Sequence, residues 1–245
     1  MNRVEAEAGV AMLAEIESAL IRLANFEKGL FLEKYFKTGP GQYGEGDLFR
    51  GVCVPEIRRL AKTHRDIPLE DAKRLLRASY HEDRLLALII LVLKYSRADA
   101  SGKSDIYSLY LDHTRFINNW DLVDCSAQHL VGAFLNERSK APLHGLARSH
   151  SIWERRIAIL ATFHFIKQGK FDETLRISGI LLEDREDLIH KAVGWMLREV
   201  GKRDPRAEEA FLNSHYSRMP RTMLRYAIEK FPREKRLAYL KGTMQ

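Results

Sequence analysis

Trp120 and Asp124 stand four residues apart in the stretch INNWDLVD. On a helix that spacing stacks them on one face, so a large aromatic and a carboxylate share a surface. The pair suits a flat, cationic or sugar-like group, because the ring offers a negative π face and the acid a fixed anion. Core packing beside a surface charge is the plainer account, and a tryptophan taken singly is more often core than contact. Trp195 raises the same choice: it follows Gly194 in a segment where Val193, Met196 and Leu197 can supply the apolar face. Trp153, inside a helix-start motif, reads as packing.

Other chemistry is poorly supported. Gly39, Gly41 and Gly44 of GPGQYGEGD spell G-x-G-x-x-G, but a dinucleotide fingerprint needs a preceding strand and a following helix in a βαβ unit, and here a helix precedes. The stretch lacks the Gly-Lys-Ser/Thr ending of a phosphate-binding P-loop, so it reads as a loop, either a plain connection or one lying against a ligand. The 9 histidines contain no HExxH and no set at zinc spacing, so no metal site is expected. No G-x-S-x-G elbow is present. Cys53 and Cys125 form no CxxC, which fits free thiols in a reducing cytoplasm.

These residues must be held by helices. Apolar residues recur three and four apart in AMLAEIESALIRL, LEDAKRLLRA, IAILATFHFI and AVGWMLREV, and no strand alternation appears. The chain of 245 residues, 45% hydrophobic with 7 prolines, can bury a core as a single array. Its most apolar run, LLALIILVL at 85–93, falls far short of the roughly 18 to 20 residues that span a bilayer, and reads as a buried helix. The N-terminus carries glutamates where a secretory signal needs a basic start, so export is not expected. A net charge of +7 favours a polyanionic partner without identifying one.

Ser79–Glu82 and Ser151–Glu154 both match the S-x-x-E capping box. Aligning HEDRLLALII, NNWDLVDCSA, IWERRIAILA, LIHKAVGWML and RTMLRYAIEK places Arg84, Asp121, Arg155, Lys191 and Leu224 in one column, and Ala87, Asp124, Ala158, Gly194 and Ala227 three positions later. Four of these last five are small, as close helix approach requires, and the exception is an acid. Shorter helices are expected between, around 69–77, 105–112, 141–148, 172–182 and 205–212. A repeat of roughly 35 residues built from paired helices predicts an all-α HEAT-like solenoid, a single domain over 1–245 with N-terminal helices and the glycine-rich loop over 1–53 and paired-helix repeats over 54–245. A groove lined by Arg84, Arg155, Arg156 and Lys191 would suit a duplex backbone. The alternative is that these cations pair with acids such as Glu82 and Glu154 or face water.

The segments Trp120–Asp124, Ile152–Arg156 and Lys191–Glu199 resemble the AlkD-type DNA glycosylases, a HEAT-like repeat family of DNA alkylation repair enzymes, with similarity from about Tyr35 to about Phe231. The resemblance implies a C-shaped array holding duplex DNA on its concave basic face, without metal or cofactor; the chain is expected to act as a monomer. The resemblance further implies removal of positively charged N3- and N7-alkylated purines, with the base left in the stack. By position, Trp120 and Asp124 match the family's aromatic and acid, Trp195 its second aromatic, Arg156 its DNA-backbone contact and, on weaker similarity, Tyr35 a bordering tyrosine. The 39–47 loop departs from the compact form of the best-known members. Two other readings are a non-catalytic protein for branched or distorted DNA and a protein-binding repeat, the latter disfavoured by the basic column.

Overall fold

The computed structural model describes residues 3–243, with side chains from Met12 onward. Among the described residues all regular elements are helical, apart from an isolated parallel bridge between Leu48 and Tyr80. No helix among them is long and apolar enough to cross a membrane. The chain divides into two compact units, residues 1–126 and 127–245.

The first unit contains α1 (Arg3–Leu23), α2 (Phe26–Tyr35), α3 (Val54–Thr63), α4 (Leu69–Leu76), α5 (His81–Arg97), α6 (Ala100–Asp112) and α7 (Trp120–Asp124). The apolar run forms α5, with Leu85, Leu86, Ala87, Leu88, Ile90 and Leu91 buried and with α3 and α4 packed on it. An unbroken apolar run rather than periodicity marked this helix, because almost every face of its first turns is covered. The expected capping box at Ser79 does not form. The cap residue of α5 is Tyr80, with no side-chain hydrogen bond, and Glu82 instead accepts from the amides of Arg50 (2.9 Å), Gly51 (2.8 Å) and Val52 (3.1 Å). A carboxylate at the start of a helix thus satisfies a neighbouring loop as well as the helix dipole.

The second unit contains a π-helical turn (Gln128–Gly132), then α8 (Ala133–Leu135), α9 (Ala141–Leu146), α10 (Ile152–Ala161), α11 (Phe163–Ile166), α12 (Asp172–Ile180), α13 (Asp187–Gly201), α14 (Pro205–His215), α15 (Arg221–Ala227) and α16 (Arg233–Lys241). Here the capping serine does act, Ser151 accepting from the Glu154 amide at 3.5 Å. Helices α10, α14 and α15 pack on α13. The small column explains how: Ala87, Ala158 and Ala227 are buried, and a Cβ on Gly194 would stand 2.4 Å from the Met223 carbonyl oxygen and 2.5 Å from the Tyr226 Cβ. Asp124, in the same column, is only half-buried. The short helices α4, α6, α9, α12 and α14 fall where the spacing predicts them.

Candidate functional site

Helix α7 carries Trp120 and Asp124 on successive turns, and both are half-buried. Asn119 starts the helix, its side chain accepting from the Trp120 amide at 2.9 Å. At the other end Ser126 Oγ donates to the Leu122 carbonyl at 2.5 Å and lies 2.9 Å from the Tyr110 hydroxyl. Leu122 and Val123 are fully buried, so this short helix is fixed at its start, its inner face and its end. Cys125 is free, and burial pushes its thiol up, with the carboxylates of Asp121 and Asp124 adding to the effect, which makes it an inert packing residue.

An aromatic wall backs α7. The Trp120 ring stacks on Phe36 (5.3 Å between centroids, 20° between planes), and Tyr35 meets Trp120 edge-on at 6.3 Å. Tyr35 is 55% exposed while Phe36 is 7% exposed, so the cluster runs from the surface inward. Phe36 also lies 5.1 Å from His81, whose other neighbour Phe49 stacks on it at 4.5 Å.

His81 is the centre of a buried ion network. Its Nδ1 lies 2.8 Å from Asp47 Oδ2 and its Nε2 2.8 Å from Asp121 Oδ2. Burial alone would push its pKa down, but the hydrogen bonds and charges of Asp121 and Asp47 outweigh this and raise it to about 9. The ring is therefore an imidazolium that donates from both nitrogens at neutral pH. Burial likewise penalises the Asp47 carboxylate, yet His81 and Arg84 hold it below the usual carboxylate range. Arg84 binds the other Asp47 oxygen and donates to the carbonyls of Ala78 (3.1 Å) and Ser79 (2.9 Å).

In the second unit Trp195 is half-buried beside Phe163, with ring centroids 5.9 Å apart, and its Nε1 donates to Glu199 Oε1 at 3.3 Å. Burial opposes the charge on Glu199, but Lys202 (2.5 Å), Arg203 (3.3 Å) and the indole keep its pKa below the ordinary value. A fixed anion thus sets the orientation of the ring.

The basic column takes another form from the one expected. Arg84 is 3% exposed and its guanidinium is used internally, so it does not line an open surface. Arg155, half-buried, donates to Asp184 (2.7 Å) and to the carbonyls of Ser149 and His150. Arg156 is 5% exposed, with Nη1 donating to the Leu188 carbonyl at 2.6 Å. Lys191 keeps 41% of its side chain exposed and pairs with Asp187 at 2.7 Å. For Arg84 and Arg155 the reason is positional: a long cation near a helix start reaches back to the carbonyls of the preceding turn. Asp47, His81 and Phe36 were not singled out by the sequence. One signal did point to the network, since Asp121 is an acid in a column otherwise cationic over its first four members.

Among the described residues no group of three His, Cys, Asp or Glu side chains is arranged to hold a metal ion. No curated protein matches the sequence. A solved structure described as a predicted DNA alkylation repair enzyme from Enterococcus faecalis is similar in fold, with a TM-score of 0.66 at 17% identity over 86% of this chain and 97% of that one. The family described as DNA alkylation repair enzyme matches residues 16–231, which is most of the sequence, and the chain belongs to that family.

Proposed function

We propose that this protein is a DNA glycosylase that hydrolyses the N-glycosidic bond of positively charged N3- and N7-alkylated purines in duplex DNA. The observation that carries the reading is Asp124, a half-buried acid where the equivalent positions are buried Ala or Gly, one turn from Trp120 on a helix anchored at both ends. An alkylated purine already bears positive charge, so it leaves without a general acid. Water adds to C1′, the C1′–N9 bond breaks, its electron pair departs with the base and neutralises it, and the water loses a proton. The sugar becomes oxocarbenium-like on the way, and preorganised negative charge that strengthens with that development lowers the barrier.

In this reading Asp124 supplies the charge and orients the water. Trp120 offers a π face to the sugar or cationic base, a contact worth about 0.5 to 2 kcal/mol, and the resemblance gives Trp195 the part of the second aromatic. Tyr35, exposed and edge-on to Trp120, borders the sugar. The resemblance gives Arg156 a place on the DNA backbone, but little of that side chain is open, so the salt-sensitive share of binding is assigned to Lys191. With chemistry directed at the sugar, the base need not be extruded, in contrast with enzymes that flip their target.

The test is release of free base from duplex DNA containing 7-methylguanine, by wild type and by Asp124→Asn. Release well above spontaneous depurination, lost in the variant, is expected. Tight binding of the duplex by wild type with no release would replace this reading by that of a non-catalytic binding protein.

A further inference from the structure

We propose that the glycine-rich loop at 39–47 is part of the site's support, with Asp47 and His81 acting as positioning residues that hold α7, and so Trp120 and Asp124, in register. The effect on turnover rests on the glycosylase reading, whereas the clamp itself does not.

The loop is docked, not free. Its Gly44 amide donates to the Lys37 carbonyl at 3.1 Å and its Gly46 amide to Thr38 at 3.2 Å. A Cβ on Gly44 would lie 2.4 Å from the Phe36 carbonyl oxygen, so only glycine lets the loop pack this closely on the end of α2, where it also comes beside Asn119, whose Nδ2 would be 3.4 Å from that Cβ. Asp47 then closes the loop with its side chain wholly buried. Its carboxylate meets three groups, namely His81, Arg84 and, at 3.5 Å, Asn119 Nδ2.

His81 passes the connection on. The groups charged or titratable that face it are Asp47 from the loop, Asp121 from α7 and, through Asp47, Arg84 of its own helix. Asp121 lies directly between Trp120 and Leu122, so the His81–Asp121 bond fixes the rotation of α7 about its axis. Phe36 and Phe49 cover the imidazolium, and Phe36 carries the Trp120 ring. Loop, ion chain and aromatic wall therefore converge on the first turn of one short helix. Without them a five-residue helix has little stability of its own.

Two readouts distinguish positioning from plain stabilisation. The first is the indole N–H resonance of Trp120 in ¹⁵N-labelled protein, assigned by Trp120→Phe. In Asp47→Asn it is expected to move while those of Trp153 and Trp195 stay in place. The second is base release from 7-methylguanine DNA. Turnover in Asp47→Asn should fall about 10- to 100-fold, as a misplacement near 1 Å does, with DNA affinity little changed. The alkaline limb of its pH profile should also move to lower pH, because His81 has lost one of two anions. An unmoved Trp120 resonance in the folded variant overturns the proposal. If Asp47→Asn fails to fold, the titration of His81 in the wild-type protein decides: its deprotonation must shift the Trp120 resonance, and no shift overturns the proposal. Wild type that releases no base defeats the glycosylase reading and leaves the resonance test intact.

Discussion

Arg84 and Arg155 make the same turn twice. Each sits near a helix start, and each guanidinium donates to the carbonyls five and six residues before it, Ser79 and Ala78 in one case and His150 and Ser149 in the other. Each also binds an aspartate, Asp47 or Asp184. The two arginines occupy equivalent positions of the repeat and do the same mechanical job, tying a helix to the turn that precedes it.

Their loss should differ in cost. Arg84→Met leaves Asp47 buried with a partner missing, and should destabilise by about 3 to 5 kcal/mol. Arg155 is more open, so Arg155→Met should cost about 1 to 3 kcal/mol. Urea denaturation of both variants measures this. An Arg84→Met protein as stable as wild type would show that the internal clamp contributes nothing.

The His81 imidazolium gives stability a pH dependence whose sign is fixed by the geometry. Its folded pKa of about 9 lies above its ordinary 6.5, so the stabilisation is complete below the ordinary value and is lost as pH rises through about 9. The full effect is on the order of 3 kcal/mol. Burial raises the Glu208 carboxyl to about 8, so wild type and His81→Gln alike should lose stability as pH rises from 6. Urea denaturation between pH 6 and pH 9.5 should show wild type losing more than the variant, the excess being the His81 contribution. Parallel curves for the two proteins would mean that His81 is neutral in the folded protein.

Lys191 is the member of the basic column that keeps a large exposed surface. Lys191→Ala should reduce the slope of log affinity against log salt by about one phosphate contact, while Arg155→Met should leave it unchanged. Fluorescence anisotropy with a labelled duplex over a salt series measures both slopes. Equal slopes for Lys191→Ala and wild type would remove Lys191 from the DNA contact.

Helical periodicity, small residues and turn signals together made the architecture legible. The buried α5 and the short helices at 69–76, 141–146 and 172–180 follow from local patterns that a single segment carries, and the close approach at Gly194 from the small column that five segments share. What stayed hidden is long-range. His81 lies 34 residues from Asp47 and 40 from Asp121, and nothing local marks three polar residues so far apart as one cluster. The column of cations misled for a related reason: charge is visible in a sequence, but whether a guanidinium faces water or a carbonyl depends on which turn lies beneath it. Glu82 shows the same limit, since its motif is that of a cap and its partners are three amides of another segment.

Arg84, Asp47, His81 and Asp121 form a line of alternating sign, two cations and two anions, sunk beneath the Trp120 wall. Such a line is neutral only as a whole. Swapping one member strands a neighbour's charge in a low-dielectric interior, whereas exchanging several at once for apolar residues does not. Among related proteins these four places should therefore drift as a block, and a relative that has lost the aspartate ending the loop should have dispensed with the histidine and the loop's present length as well.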